Sequence, residues 1–385
     1  MGKLTYQIEV LTPVHVGNGR QILPPEYVLD SEARKIVRVD LDSLFREKGF
    51  PIVRYINAVR QPGFYLGSEF RTASVRHPLY QFKSGGNIHE LSRYLRRSAG
   101  AFLEHIKDGG KPYLPGSSIK GAIRSLILKY LLSSDRSDYE EELNRSIRLR
   151  KEGKKEERQL KTFSTEAENL VLGRTNRSLL RALQVSDSST IEPSQLELGC
   201  VKILSLTQEG YAWKDLANRR NLKDFEDATP IFFESLPAGT ILSGSFKTDD
   251  DLLTGYCADQ LSYRSEGVQA IKRLFSVCKQ GSMELLQKEA AFFEAIRLKT
   301  CLDAAINLMS VVQSCQENQM VFPLAWGTGY NAKANGWIID SDLMDMVRRE
   351  FNLGREGFEF PKSRKILFFQ GEPANLVGWV RLSIV

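Results

Sequence analysis

The residues best suited to chemistry lie in one stretch, 113–128, where a strand-breaking Pro115-Gly116 pair precedes an apolar helical pattern. Two hydroxyls and two basic residues occupy the first turns: Ser117, Ser118, Lys120 and Arg124. Ser117 or Ser118 is the predicted N-cap, and the basic residues, four apart, share one face of the helix. Because a helix N-terminus presents unpaired N–H groups and a positive dipole end, the motif suits a phosphate or a sugar-phosphate backbone. An ordinary capped helix with a solvated Lys and Arg explains the same residues equally well.

Gly121 lies inside this predicted helix. A glycine there costs about 1 kcal/mol relative to alanine, and no capping role explains it in a first turn. Close approach of another backbone, from protein or nucleic acid, would explain it.

A glycine-rich loop at 323–333 is a second candidate. Gly327, Gly329 and Ala332 fit a dinucleotide fingerprint, but loop-forming residues follow where that motif must open a helix. Alternatively, a nucleic-acid strand lies on bare backbone beside Trp326 and Tyr330, with Lys333 nearby. The plain alternative is a turn between two core aromatic residues.

Two further segments could contact phosphate. The loop after the first predicted strand contains one imidazole, two glycines and one guanidinium: His15, Gly17, Gly19 and Arg20. A lone histidine is more often structural, and the nearby sequence offers no partner for acid–base catalysis. Arg364 lies in a basic run before an apolar strand, which predicts either a charged strand edge or a phosphate contact.

Several classes of protein are excluded by composition and motif. The chain has 385 residues, 42% of them apolar, and a net charge of +6, which permits a polyanionic partner without requiring one. Five scattered cysteines are typical of a reducing, cytoplasmic protein, and no apolar run predicts a membrane span. Metal-ligand spacing, a phosphate loop and a nucleophile elbow are absent from the sequence, so neither a metal nor a cofactor is expected.

The periodicities predict strands and helices in both halves of the chain, and hence an α+β fold. Strands are expected at 4–11, 27–30, 36–41, 182–185, 196–206, 232–236, 240–246 and 376–385. Helices are expected at 88–107, from Ser117, at 263–279 and at 283–315, and the basic segment 144–161 is a solvated helix or a mobile insertion. The predicted division is 1–195 and 196–385.

The order of three motifs resembles the RAMP superfamily of CRISPR-associated RNA-binding proteins. These are a first strand that ends in Leu11-Thr12-Pro13-Val14-His15-Val16-Gly17, the block Pro115–Arg124, and the late Gly327-Thr328-Gly329. Within the superfamily, the order and spacing are most similar to the subunits that cap the 3′ end of the CRISPR RNA (crRNA) in type III-A Csm effector complexes.

The resemblance implies two ferredoxin-like (RRM-like) halves with helical insertions and an RNA channel between them. The resemblance implies that the segment from Gly116 to Arg124 contacts the guide-RNA backbone. It implies a second contact at His15, Gly17 and Gly19. It implies crRNA, target RNA and neighbouring Csm subunits as partners, and a role with host nucleases in crRNA maturation. The aspartate with which backbone subunits cleave target RNA has no clear match here.

Three functions remain open from the sequence. The first is a non-catalytic crRNA-binding subunit that ends the filament of its neighbours in antiviral defence. The second is a metal-independent endoribonuclease of the same superfamily that processes precursor crRNA with His15 as base or acid. The third is a protein–protein adaptor with solvated basic residues.

Overall fold

The described part of the chain contains 18 strands. The computed structural model describes residues 4–95, 100–151, 163–208, 210–327, 329–332, 341–354, 357–358 and 360–385. The described strands are β1 Leu4–Val10, β2 Gly17–Ile22, β3 Tyr27–Asp30, β4 Lys35–Val39, β5 Pro78–Lys83, β6 Phe102–His105, β7 Lys107–Asp108, β8 Lys111–Pro112, β9 Leu183–Val185, β10 Glu197–Thr207, β11 Gly210–Asp215, β12 Arg220–Leu222, β13 Ile231–Ser235, β14 Ile241–Thr248, β15 Gln319–Pro323, β16 Ser363–Phe369, β17 Glu372–Asn375 and β18 Trp379–Ile384.

Helices fill the long connections between these strands. They are α1 Leu41–Arg46, α2 Ile52–Val59, α3 Leu66–Glu69, α4 Arg71–Ser74, α5 Ile88–Leu95, α6 Gly116–Ser134, α7 Ser137–Lys151, α8 Phe163–Leu172, α9 Gly255–Gln260, α10 Ser265–Lys272, α11 Leu274–Ala295, α12 Lys299–Gln313 and α13 Ser341–Phe351. Three groups of helices are therefore insertions between successive strands: α1–α4, α6–α8 and α9–α12.

The strands form two larger sheets. One is antiparallel in the order β15-β18-β1-β14-β9. The other follows the path β2-β6-β13-β10-β5-β4-β3, and its long strand β10 also pairs with β11 and β16. The predicted α+β class with helical insertions is confirmed, and the two curled sheets are consistent with two ferredoxin-like halves. Each sheet takes strands from both sides of residue 195, so the division at that residue stays a prediction.

The main core lies between the sheets and the long helices. On β1 the side chains of Tyr6, Ile8 and Val10 are buried, while Thr5 and Gln7 are exposed, as their two-residue alternation predicts. The apolar stripe of α6 is buried at Ile119, Ile123, Leu126 and Ile127. A smaller separate core forms where α1–α4 cover β3 and β4, around Val28, Val37, Val39, Leu44, Tyr55, Leu66 and Phe70.

Some predictions about elements were wrong in detail. The helix expected over 88–107 ends at Leu95, and 102–105 form β6 inside a sheet, where Phe102 and His105 are buried. The strands expected at 232–236 and 240–246 are present as β13 and β14, and they belong to different sheets. The helix expected from Ser117 begins at Gly116, because Asp187 supplies the cap from a distant segment. Of the basic segment 144–161, residues up to Lys151 belong to α7, and residues 152–161 lie outside the described residues.

Among the described helices, none combines the length and the apolar content that crossing a bilayer requires. The described residues also contain no group of three or more His, Cys, Asp or Glu side chains that could hold a metal ion.

The two glycines of α6 give opposite predictions for stability. A Cβ at Gly116 would lie 2.4 Å from the carbonyl oxygen of Val185, whereas a Cβ at Gly121 would meet no atom within 4 Å. We expect Gly116→Ala to lower the free energy of unfolding by about 1–3 kcal/mol, because backbone must move. We expect Gly121→Ala to raise it by about 0.5–1 kcal/mol, because alanine loses less entropy in a helix. Urea unfolding of both variants measures these changes, and equal shifts would contradict the packing at Gly116.

Candidate nucleic-acid interface

Three segments that are distant in sequence meet at one place. They are the loop after β1 together with the first residues of β2 (14–19), the start of α6, and a 3₁₀ turn at Ala325–Gly327. The backbone N–H of Trp326 donates to the carbonyl oxygen of His15 at 3.3 Å, and α6 contacts the 3₁₀ turn. The structure therefore brings together the three motifs that the sequence singled out.

His105, at the end of β6, links two of these segments. Its Nδ1 accepts a hydrogen bond from the N–H of Val16 at 3.3 Å, and its Nε2 lies 3.1 Å from the carbonyl oxygen of Tyr113. A carbonyl only accepts, so Nε2 carries the proton of the neutral ring. One fully buried imidazole thus fixes the loop after β1 relative to the residues that lead into α6.

A buried carboxylate holds His105 in place. Glu234 on β13 is fully buried, and its Oε2 lies 2.5 Å from the Nζ of Lys107. The hydroxyl of Tyr80 donates to Oε1 at 2.6 Å, and the backbone N–H of His105 donates to Oε2 at 3.0 Å. Burial raises the pKa of Glu234, against the lowering effect of the neighbouring ammonium. The carboxylate therefore joins β5, β6, β7 and β13 at one point.

His15 lies beside this network and is 1% exposed. Its Nδ1 donates to the backbone carbonyl oxygen of Glu234 at 2.8 Å, and its ring contacts those of His105, Phe233 and Trp326. Burial lowers the pKa of His15 to about 4 and that of His105 to about 3. Both rings are neutral near pH 7, and both stand below the surface.

The first residues of β2, which follow this loop, are more exposed. Gly17 pairs with His105 across β2 and β6, and Gly19 has a φ of +87°. The side chain of Arg20 is 68% exposed, and its Nε lies 3.8 Å from Oε2 of Glu104. Exposed pairs at such distances contribute little, so the guanidinium stays available to solvent or to a ligand.

The start of α6 is partly occupied by the chain's own carboxylates. The N–H of Gly116 donates to Oδ1 of Asp187 at 2.7 Å, and Arg124 pairs with Glu168 at 2.5 Å. Ser118 donates its N–H to the carbonyl oxygen of Pro115. The prediction that the helix end and Arg124 face a phosphate remains untested by these contacts, but both groups already have an anionic partner.

Three other residues of the motif face outward: Ser117, Lys120 and Gly121. Ser117 and Gly121 are exposed, and the half-buried Lys120 forms no hydrogen bond or ion pair with any described residue. Burial lowers the pKa of Lys120. We call these three residues the α6 surface.

The glycine-rich loop borders a cavity of about 230 Å³, which is lined by Gly327, Gly329 and Arg364 among others. The Nε of Arg364 donates to Oε2 of Glu289 at 2.7 Å, and the guanidinium lies 4.0 Å from the ring centroid of Phe292. Its side chain is only 10% exposed, so it is a cavity wall rather than a strand-edge charge. Lys333 and Thr328 lie outside the described residues.

Sequence reasoning missed the acidic and polar partners of this site. The missed residues are Tyr80, Lys107, Glu168, Asp187, Glu234 and Glu289. One signal was present, because Glu234 interrupts the apolar strand 232–236, and an acidic residue in a buried strand indicates a paired carboxylate. The other partners carry no local signal, since their contacts join distant segments.

The described structure is thus a mixed α+β fold in which the loop after β1, the start of α6 and the 3₁₀ turn at Ala325–Gly327 meet. The sequence profile of the RAMP superfamily matches residues 7–298, about three quarters of the chain. The chain belongs to the RAMP superfamily, and the resemblance drawn from its motif order is confirmed.

Within the superfamily, the chain is similar in sequence to proteins that share one name. The chain is 26% identical over 224 residues to the "CRISPR system Cms protein Csm5" of Streptococcus thermophilus, covering 50% of this chain and 54% of the relative. It is 25% identical over 267 residues to the protein of the same name from Mycobacterium tuberculosis (strain CDC 1551 / Oshkosh), covering 61% and 64%. The matched region thus spans about half to two thirds of these relatives.

Solved structures share the fold over the whole chain. A chain in the cryo-EM structure of a Csm–crRNA–target RNA ternary complex of a type III-A CRISPR-Cas system superposes with a TM-score of 0.68 at 18% identity, covering 100% of both chains. The crystal structure of T.onnurineus Csm5 gives a TM-score of 0.61 at 17% identity, covering 97% and 99%.

The buried histidines predict a loss of stability in acid. Their folded pKa values, about 4 and about 3, lie below the ordinary value of about 6.5, so the unfolded chain binds more protons below pH 6.5. Their contribution is complete above about pH 6.5 and declines as the pH falls towards 4.

His105→Gln keeps a donor and an acceptor but cannot titrate. We expect its unfolding free energy to fall less steeply than that of the wild type, by about 1.4 kcal/mol per pH unit between pH 6 and 4.5. Urea unfolding across this range measures both slopes, and parallel slopes would contradict the burial of a neutral ring.

Proposed function

We propose that this chain is the crRNA-binding subunit that caps the 3′, spacer-distal end of the guide in a cytoplasmic type III-A Csm effector complex. In this role it contacts the neighbouring Csm subunit, lies beside target RNA, and assists crRNA maturation with host nucleases in antiviral defence. Membership of the RAMP superfamily and the similarity to proteins named Csm5 support the proposal.

Lys120 is the residue that carries the RNA-binding part of this proposal. Its half-buried ammonium has no carboxylate partner among the described residues, so it is available to an external anion. The neighbouring Gly121 offers bare backbone and open space. A phosphodiester passing over the α6 surface would supply the anion and explain the glycine.

Phosphate contacts of this kind fix the register of a strand without reading its bases. A subunit that holds guides of many sequences needs this mode of recognition. His105 links Val16 to Tyr113 ahead of α6, and we include the exposed Arg20 and the glycines that follow Val16 in the proposed contact surface.

The endoribonuclease alternative finds less support in the geometry. A general base must come within hydrogen-bond reach of the hydroxyl that it deprotonates, and its pKa should lie near the working pH. His15 is 1% exposed, and burial lowers its pKa to about 4. Neither condition is met at this residue.

Salt dependence tests the role of Lys120. If Lys120 neutralises one phosphate, Lys120→Ala should lower the magnitude of the log–log salt slope of single-stranded RNA binding by about 0.7. Arg124→Ala is the matched control, because Glu168 already neutralises that cation on the same helix, and its slope should change much less. An unchanged slope in Lys120→Ala would remove the α6 surface from the RNA-binding site.

Protection of the guide tests the capping role. Complexes are assembled with wild-type chain, with Lys120→Ala, or without this chain, and are then treated with a 3′→5′ exonuclease. We expect the longest protected crRNA with the wild type, partial trimming with Lys120→Ala, and shorter guides without the chain, because bound backbone is shielded. Identical 3′ ends in all three samples would refute capping.

A further inference from the structure

The cavity beside the glycine-rich loop has one apolar and one polar side. The apolar wall includes Leu285 and Phe293 of α11 and Trp379 of β18. The polar side is formed by Glu289, Asn331 and Arg364. Neither the proposed phosphate contacts nor the buried histidine network uses this space.

Its size limits what it can hold. A water molecule occupies about 30 Å³ of liquid, and pockets for drug-sized ligands measure about 300–1,000 Å³. At about 230 Å³ the cavity is far too large for one water and smaller than a site for a whole drug-sized ligand. A single planar ring system is the class of ligand that fits.

The polar side offers hydrogen-bond acceptors. Glu289 accepts the Nδ2–H of Asn331 at 2.8 Å on Oε1 and the Nε–H of Arg364 at 2.7 Å on Oε2. An ionised carboxylate has about four lone-pair sites, so Glu289 keeps acceptor capacity, and the amide oxygen of Asn331 adds to it. The amino and imino groups on the edges of nucleobases are donors that match this side, while the aromatic wall matches their faces.

The loop that borders the cavity leaves room for a strand. Gly329 has a φ of +64°, and a Cβ at this position would meet no atom within 4 Å. Gly327 is different, because its Cβ would clash with the backbone oxygen of Val377 at 2.4 Å. Packing thus requires glycine at 327, and Gly329 leaves bare backbone open beside the cavity.

We propose that this cavity takes one unstacked nucleobase from an RNA strand that passes the glycine-rich loop. The inference rests on the proposed RNA-binding function and adds a base-holding site to it. The base stacks against the aromatic wall and points its donor edge at Glu289 and Asn331. The cavity therefore binds any of the four bases, and a nucleotide that lacks its base loses this contact.

Photo-crosslinking locates the base directly. The full chain is mixed with single-stranded RNA that contains 4-thiouridine, irradiated, and mapped by mass spectrometry. We expect cross-links at Tyr330 or Trp379, which line the cavity, well above those at Tyr256. Tyr256 is 77% exposed, so it reports chance collisions.

Filling the cavity provides the second measurement. Asn331→Trp should lower the cavity cross-link at least tenfold and weaken RNA binding by about five- to 150-fold, the effect of losing one stacked base. Gln313→Trp adds the same bulk at an exposed position at the end of α12 and should change neither.

The outcomes separate the two proposals. RNA that binds but cross-links at the cavity no more than at Tyr256 would overturn the base site and leave the proposed function standing. RNA that does not bind above nonspecific levels would overturn both. The wild-type map decides between these outcomes even where a tryptophan variant fails to fold.

Discussion

The buried carboxylate of Glu234 is the constraint on which the geometry of the candidate site depends. A charge without water must be paired and hydrogen-bonded, so the ammonium of Lys107, the hydroxyl of Tyr80 and the N–H of His105 have to converge on it. These partners lie on three strands and Glu234 on a fourth, and a shift of any one of the strands would leave a charge or a donor unpaired. Such a pair adds little net stability over an apolar core of the same shape, but breaking it is costly, which favours one arrangement over others. The position of His105, and through it the loop after β1 and the entry to α6, follows from this arrangement.

The sequence was informative where structure depends on local pattern. The alternation in β1 and the stripe of α6 predicted which side chains are buried, because each element contributes one face to a core. The order of the motifs identified the superfamily. Prediction failed where a neighbour distant in sequence decides the outcome. Residues 102–105 look helical by spacing, but pairing of β6 with β2 and β13 draws them into a sheet. Ser117 looks like an N-cap, but the helix begins at Gly116, whose N–H donates to Asp187, 71 residues further along the chain.

The same limit applies to the charged residues of the candidate site. Arg124 and Arg364 have the side chain that best binds phosphate, yet they pair with Glu168 and Glu289. Lys120, four residues from Arg124 on the same helix, has no such partner among the described residues. Gly116 and Gly121 differ in the same way, since one is required by packing against the backbone of Val185 and the other faces open space. Arg124 and Lys120 are both basic residues of α6, and Gly116 and Gly121 are both glycines of it. Only the fold shows which of them contacts the protein itself and which is open to solvent.

Burial decides what the two histidines of the candidate site can do. Deep packing lowers the pKa of both histidines well below neutrality and removes them from solvent, which makes them good fixed hydrogen-bonding groups and poor proton carriers. A strand of RNA that is held through its phosphates needs contact groups at fixed spacing, and a rigid network beneath the surface supplies that spacing without moving protons. In the proposed function, the buried imidazole of His105 fixes the loop after β1 relative to the residues that lead into α6, and the proposed RNA contacts, Arg20 and Lys120, follow these two segments along the chain. In the proposed function the site therefore acts through position and charge, and the histidines are the fixed hydrogen-bonding groups beneath it.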